Sequence, residues 1–416
     1  MELGFLSPLF DRHGPWASVY FDTARASEDT AARQKLTARA ACDRLRGQGA
    51  DEDTCRVMYD ALVALPRGPY PPGHAVFATH GEVVLDTELT VPLPDSGPIA
   101  HWQALPHTGP LLELADDEPL CLVAYIDRKG ADFEVRGKGR PYSAGHVTES
   151  EWPVHRTASR DPSERHFQTA VENTWEQNAA GIADELRIRQ ERTGAELLVL
   201  AGEPRERHSV YEHLPFDLHG HTVQAEHGVR ADSGPEGPAA NTAEGRRMLD
   251  EEIATARTAY ARQHTAALLE SFQAGRGPAG EGGHDAAEGV PALVEAAREH
   301  RIGALLVRPE GADLHREVWV GDEPDQVAVR RKEIQYLGAT EPAPARADDA
   351  LMRSAAATGA EVLSVGPSPV LEAAPEIVPG TVPDELPVGG LGALLRWPYE
   401  EAPEGGGAGG GQHATR

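Results

Sequence analysis

Apolar and polar residues alternate over residues 16–21 (Trp-Ala-Ser-Val-Tyr-Phe), a period of two that predicts a strand. Helical spacing follows over residues 28–46 and again over 51–65. The first pattern stops at Gly47 and the second before Pro66, both ordinary helix ends. Two further strands are predicted at 75–79 and 83–89, and a Pro-rich passage then leads to residues 111–114. Residues 1–116 therefore read as a compact α/β domain.

A second domain is expected over residues 117–284. Residues 120–126 (Leu-Cys-Leu-Val-Ala-Tyr-Ile) are continuously apolar, as in a strand buried on both faces. The turn Asp127-Arg128-Lys129-Gly130 leads into residues 131–136, which alternate as a hairpin partner does. A polar stretch from 137 to 161 separates this hairpin from a long helical pattern. That pattern starts at Pro162 and Ser163, ends at Gly194, and repeats Phe167, Val171, Trp175, Ile182 and Leu186 at close to helical spacing. Residues 196–201 predict another buried strand, 221–224 a short one, and 244–272 a second long helix.

A Gly-rich linker over 273–288 leads to a third α/β domain, residues 285–400. It is expected to hold helices at 291–300 and 348–358, with strands at 304–307, 317–320 and 361–365. Residues 401–416 form a Gly-rich tail expected to be disordered. The chain shows no fixed-period repeat, so the reading is three different α/β domains with mixed sheets flanked by helices.

Composition narrows the class. A chain of 416 residues with 40% apolar positions supports two or three cores. No run approaches the ~20 apolar residues of a membrane helix, and the first ten residues lack the basic segment of a signal peptide. A cytoplasmic protein is expected. Cys42, Cys55 and Cys121 form no C-x-x-C pair and sit in helix or strand patterns, which suits small core residues. The net charge of −27 opposes a general nucleic-acid binder or an anionic-membrane binder.

Few chemical motifs appear. There is no P-loop, no G-x-G-x-x-G after a strand, no G-x-S-x-G elbow and no H-E-x-x-H. His208, His213, His219 and His221 are the densest histidine group, yet their spacing fixes no ligand geometry, so neither metal nor cofactor is expected. The pairs Asp116–Asp117 and Asp348–Asp349 stand at element boundaries. The second pair precedes a helix, where negative charge favours the positive end of the helix dipole.

One stretch stands out against the acidic background. Between the hairpin and the long helix, residues 152–167 hold His155, Arg156, Arg160, Arg165 and His166 against only Asp161 and Glu164. Arginine bonds two phosphate oxygens at once through its planar fork. The same residues also suit a solvated helix start capped by Ser163.

In this order the three domains resemble the superfamily of archaeal/eukaryotic release factor 1 and Pelota. The likeness is carried by L-V-A-Y-I-D-R-K-G-A-D-F-E-V, by A-L-V-E-A-A-R-E-H-R-I-G-A-L-L-V, by D-D-A-L-M-R-S-A-A-A-T-G-A-E-V-L-S-V, and by the closing G-G-L-G-A-L-L-R-W. The early W-A-S-V-Y-F-D-T is similar to the bacterial branch. In that superfamily, release factors carry Gly-Gly-Gln in the loop after the middle-domain hairpin, and it positions water at the peptidyl-transferase centre. Here that loop has none. A Gly410-Gly411-Gln412 tripeptide lies in the tail, where no scaffold is expected to hold it. Bacterial members without the tripeptide include Balon-type ribosome hibernation factors, and the chain looks most like these.

The resemblance implies a non-catalytic factor that occupies the ribosomal A site, is delivered with elongation factor Tu and protects idle ribosomes during stress. Its rRNA-contacting loop would be Trp152, Pro153, Val154, His155, Arg156, Thr157, Arg160 and Arg165. Two other readings stay open: a peptidyl-tRNA hydrolase using Gln168 or His155 in ribosome rescue, and a stress-associated protein that binds another protein. Neither DNA nor membrane is expected as a partner.

Overall fold

A short helix, α1 (Ser7–Phe10), precedes the first strand, β1 (Trp16–Asp22). The computed structural model describes residues 4–23, 30–66, 72–93, 97–114, 119–137, 141–148, 164–228, 243–276, 285–366 and 386–397, with backbone alone at 30, 164–174 and 243. Helices α2 (Thr30–Gly47) and α3 (Glu52–Ala64) follow; Asp51 caps α3 by accepting from the Thr54 N–H at 2.8 Å. Strands β2 (Gly73–Thr79), β3 (Glu82–Leu89) and β4 (Ile99–Gln103) and the single turn α4 (Leu111–Leu114) complete the first segment. The sheet is antiparallel, in the order β3-β2-β1-β4. The period of two in β1 divides its side chains between two cores. Ala17, Val19 and Phe21 join Cys42, Leu45, Cys55 and Met58 of α2 and α3. Trp16 and Tyr20 face the other core.

The middle segment begins with the hairpin β5 (Cys121–Asp127) and β6 (Gly130–Arg136), then β7 (Tyr142–Thr148) and the long helix α5 (Glu164–Thr193). It continues through β8 (Leu197–Gly202), α6 (Pro204–His213), α7 (Phe216–His219), β9 (Thr222–Gln224) and α8 (Ala243–Gly275). The sheet order is β7-β6-β5-β8-β9. Strands β5 and β8 pair in parallel, so the two continuous apolar runs of the sequence lie side by side at the sheet centre. Alternation again decides the faces. Leu122, Ala124, Leu198 and Leu200 pack with Ile182 and Leu186 of α5. Cys121, Val123, Leu197 and Val199 pack with Leu249 and Ile253 of α8.

The last segment holds β10 (Ala286–Glu288), α9 (Val290–Arg298), β11 (Ile302–Val307), β12 (Glu317–Val320), β13 (Val327–Ala328), α10 (Arg331–Tyr336) and β14 (Ala343–Arg346). Helix α11 (Ala347–Ala357) and strands β15 (Glu361–Ser364) and β16 (Leu391–Leu395) close it. Two sheets form, β10-β16-β11-β15 and β13-β12-β14.

The chain divides into two compact units. One is residues 117–266; the other unites residues 1–116 with 267–416. Within this second unit the segments read from the sequence as the first and third domains share one core. Trp16, Tyr20, Phe77 and Leu111 belong to it together with Leu293, Leu351 and Met352.

Several elements are additional to the sequence reading, among them β10, which lies inside the expected linker 273–288, and β13, α10 and β14. The polar stretch 137–161 contains β7, whose only buried side chain is Val147, so its alternation is too weak to see. Helix α6 lies in what reads as a His-rich loop, because only Glu206 and Val210 are buried along it. Strand β4 lies inside the Pro-rich passage. All three cysteines are buried thiols. Among the described residues, no helix is long and apolar enough to cross a membrane.

Candidate functional sites

The loop singled out in the sequence joins β7 to α5, and the structure describes both of its anchors. Strand β7 is held to β6 in antiparallel register, with Gly130 opposite Thr148 and Ala131 opposite Val147. Gly130 has φ +153°, and a Cβ there would lie 1.9 Å from the Val147 carbonyl oxygen, so only glycine allows this approach. Helix α5 grips the strand through Arg189, which donates to the carbonyl of Ala144 at 3.1 Å. The Arg189 guanidinium stands 4.3 Å from the Phe133 ring centroid and pairs with Glu185. The strand from which the loop departs is thus tied both to β6 and to the later turns of α5.

Trp152, Pro153, Val154, His155, Arg156, Thr157 and Arg160 lie outside the described residues, as do Ser163 and the tail tripeptide. Arg165 is in the first turn of α5, and Gln168 one turn further on. The register adds two basic residues that the sequence reading had used only as a turn. Because Gly130 faces Thr148, the β5–β6 turn with Arg128 and Lys129 sits beside the strand end from which the loop departs. The Arg128 side chain is 87% exposed while its Nε lies 3.0 Å from Glu206. Burial raises the Glu206 carboxyl above its ordinary range, and the pairing with Arg128 works against that rise. Asn178 of α5 reaches the Arg128 carbonyl at 3.5 Å, which ties the same turn to the helix. The signal lay in D-R-K-G itself, but only strand register shows what that turn lies next to.

The histidines of the dense group each have separate company. His208 lies 3.4 Å from Glu212, His213 contacts the Ser209 carbonyl at 2.8 Å, His219 contacts the Leu214 carbonyl at 3.0 Å, and His221 contacts the Tyr260 hydroxyl at 3.0 Å.

A second polar centre lies buried in the other unit, and here Asp348 and Asp349 do more than sit at a helix start. Strand β14 runs directly into α11, which puts Arg346, Asp348 and Asp349 within four residues. Arg346 forks onto Asp348, with its Nε 2.9 Å from Oδ1, and its Nε is 3.6 Å from Asp349. Asp349, fully buried, accepts from the Gln103 amide at 2.7 Å and the Thr108 N–H at 2.9 Å, and pairs with His107 Nδ1 at 3.0 Å. His107 is fixed in turn: its N–H donates to Ser18 Oγ at 2.9 Å and its carbonyl accepts from the Tyr20 hydroxyl at 2.7 Å.

Titration follows from this burial. Asp348 is pushed up to about 6, first by burial and then by the charge of Asp349. Burial also acts to raise Asp349, but the charge and hydrogen bond of His107, with Arg346 and the Thr108 N–H, bring it below the ordinary range. His101, whose ring centroid is 4.6 Å from that of His107, is lowered to about 4 by burial and by the neighbouring imidazole.

His107, Asp348 and Asp349 offer ligand atoms within 4.8 Å of one another, a spacing a metal ion could use. Each of the four carboxylate oxygens, however, already accepts from a protein donor, and Arg346 supplies the positive charge. The arrangement closes as an ion-pair network joining the 101–109 stretch to α11. The sequence showed the two aspartates but not their partner, since His107 is 242 positions from Asp349.

Residues 120–278 match the family model for bacterial archaeo-eukaryotic release factor family 2. Over its length the chain is similar to the uncharacterized proteins Rv2629 and MT2704 of Mycobacterium tuberculosis. Each is 26% identical over 398 residues, covering 94% of this chain and 95% of the relative. Among solved structures, a model of ribosome-bound archaeal Pelota and ABCE1 aligns at 14% identity over 94% of this chain and 93% of the other, with a TM-score of 0.37. The archaeal translation termination factor aRF1 aligns at 14% identity over 94% and 96%, with a TM-score of 0.20. Both superpositions are weak.

Proposed function

We propose, from the match of residues 120–278 to a release-factor family model, that this protein is a ribosome-associated factor that occupies the A site without catalysing peptide release. The observation that carries the reading is the loop between β7 and α5. Its sequence offers Arg156 and Arg160, with Arg165 just inside α5, where release factors carry Gly-Gly-Gln. A loop of this kind can bond phosphate oxygens but carries no glutamine side chain to position a hydrolytic water. Arg128 and Lys129, beside the same strand end, extend the basic surface. The net charge of −27 confines contact with RNA to such local patches and leaves the rest of the surface to repel it. In this reading the factor acts in the cytoplasm, protects idle ribosomes during stress, and is delivered with elongation factor Tu.

The test is co-sedimentation of the full chain with vacant ribosomes, alongside release of peptide from ribosome-bound peptidyl-tRNA. Binding with no release is expected, unchanged on deletion of residues 404–416. A chain that stays in the supernatant at low salt, with or without elongation factor Tu, would overturn the proposal. Release that depends on Gln168 or His155 would make the protein a hydrolase instead.

A further inference from the structure

Strand β9 ends the middle sheet, and among the described residues no further strand pairs with it. Its bonds to β8 run through the His221 carbonyl and the Ala225 N–H, at 2.7 and 2.9 Å. Thr222 and Gln224 alternate with these positions, so in a parallel ladder their N–H and C=O groups turn away from β8. Such an edge is a template for an added strand.

Beside this edge, α8 forms the second wall of a groove of about 560 Å³. Val223, Ala225, Met248, Ala256 and Tyr260 line its apolar part. Val223 and Met248 are each 38% exposed, unusual for large apolar side chains that face each other across a cleft. The rim is acidic. Glu252 is held by His227 and by the backbone N–H of Glu226, at 2.9 Å for the latter. Glu251 makes a loose contact with Arg247 at 3.9 Å, both side chains being about two-thirds exposed among the described residues. Glu226 is exposed at the mouth.

We infer that the β9–α8 groove docks an extended, basic segment of a partner protein by strand addition. The edge supplies backbone pairing, and the cleft receives alternate side chains, which lie on one face of a strand. Apolar residues at every second position fill the groove, and Lys or Arg at the ends of the segment meet Glu226 and Glu251 on its rim. The −27 net charge favours encounter with a basic partner over an acidic one. The site is independent of the loop reading above: β9 and β7 are opposite edges of the sheet, roughly 20 Å apart at ~4.8 Å per strand.

The experiment uses the full chain and fluorescein-labelled ten-residue peptides read by anisotropy. The peptides are alternating Lys-Val, alternating Glu-Val, and a Lys-Val version with proline at every second valine. The Lys-Val peptide is expected to bind, the Glu-Val peptide not to bind, and the proline version to bind on the order of tenfold more weakly through loss of backbone donors. Gln224→Pro, which removes an outward N–H, and the pair Glu226→Lys with Glu251→Lys should each weaken the Lys-Val peptide by about tenfold. Circular dichroism checks that both variants stay folded.

Lys-Val binding indifferent to all these changes would be adhesion to an acidic chain and would overturn the inference. So would no binding to the full chain but binding once residues 231–240 are deleted, since a segment of the chain itself would then fill the groove. A dimer that Gln224→Pro converts to monomer in sedimentation, with no peptide effect, would overturn it in favour of a second copy.

Discussion

Replacing Asp349 by alanine tests whether the buried network holds its unit together. The side chain accepts from the half-buried Gln103 amide and the buried Thr108 N–H, at 2.7 and 2.9 Å, and pairs with buried His107 at 3.0 Å. Asp349→Ala leaves these groups without their acceptor. Each unsatisfied buried donor costs about 1–3 kcal/mol, and the costs do not simply add because the groups share one site. Measured breakages of buried ion pairs cost about 3–5 kcal/mol. A loss of about 4 kcal/mol is therefore expected. That is a large share of a unit's stability, for which about 5–15 kcal/mol is typical. Asp349→Asn keeps an acceptor for Thr108 but turns an amide toward other donors, so roughly 2 kcal/mol is expected for it.

The assay is hydrogen exchange under increasing guanidinium, followed separately in peptides from β1 and β8. The β1 amides, in the same unit as Asp349, should open at lower denaturant, while the β8 amides should not shift. A loss below about 1 kcal/mol in β1, or an equal shift in β8, would refute the claim that the network bears on this unit's stability.

Other outcomes are expected. The double substitution Arg156→Ala with Arg160→Ala should weaken ribosome co-sedimentation and lower its salt slope by about 0.7–0.9 per lost phosphate contact; identical salt titrations would reduce the loop to a helix start. Asp348, raised to about 6, keeps its proton in the folded state after the unfolded chain has lost it. Its contribution to stability is thus full below the ordinary aspartate range and falls as pH rises toward about 6. Carboxyl carbon NMR should show a midpoint near 6 for Asp348, with that of Asp349 below the ordinary range; two ordinary midpoints would contradict the burial argument. Leu200→Ala, at a fully buried position in the centre of the middle sheet, should cost about 2–5 kcal/mol in the β8 transition, and a smaller loss would mean the sheet face relaxes around it.

Legibility followed burial. The apolar runs 120–126 and 197–201 are legible in the sequence because water exclusion from a central strand leaves no charged position in them. The helix ends at Gly47, Gly194 and Pro66 were legible for steric reasons: Gly194, for instance, takes φ +68°. β7 and α6 escaped because each buries one or two side chains, and their stability comes from neighbours such as Arg189 that sequence spacing does not reveal. The arginine-bearing loop is singled out in the sequence by charge contrast and by its position in the resemblance, and its residues 152–163 lie outside the described ones. The contribution of Arg128 and Lys129 beside it needed the register of β6 on β7. The buried network needed a contact between residues far apart in the chain, and no local pattern records one.

The shared core of the first and last segments has a consequence for synthesis. Trp16, Tyr20 and Phe77 face a core completed by Leu293, Leu351 and Met352, so the first segment's sheet leaves the ribosome with one apolar side uncovered. The partner residues emerge roughly 200 residues later, which at about 5–20 residues per second is on the order of 10–40 s. During that interval the contiguous unit 117–266 has all its own residues and can fold first. A nascent chain stalled before residue 290 should then protect the middle unit from protease while leaving residues 1–116 open to cleavage. Slow decoding or early termination in the last third would strand an exposed sheet, the usual starting point for aggregation.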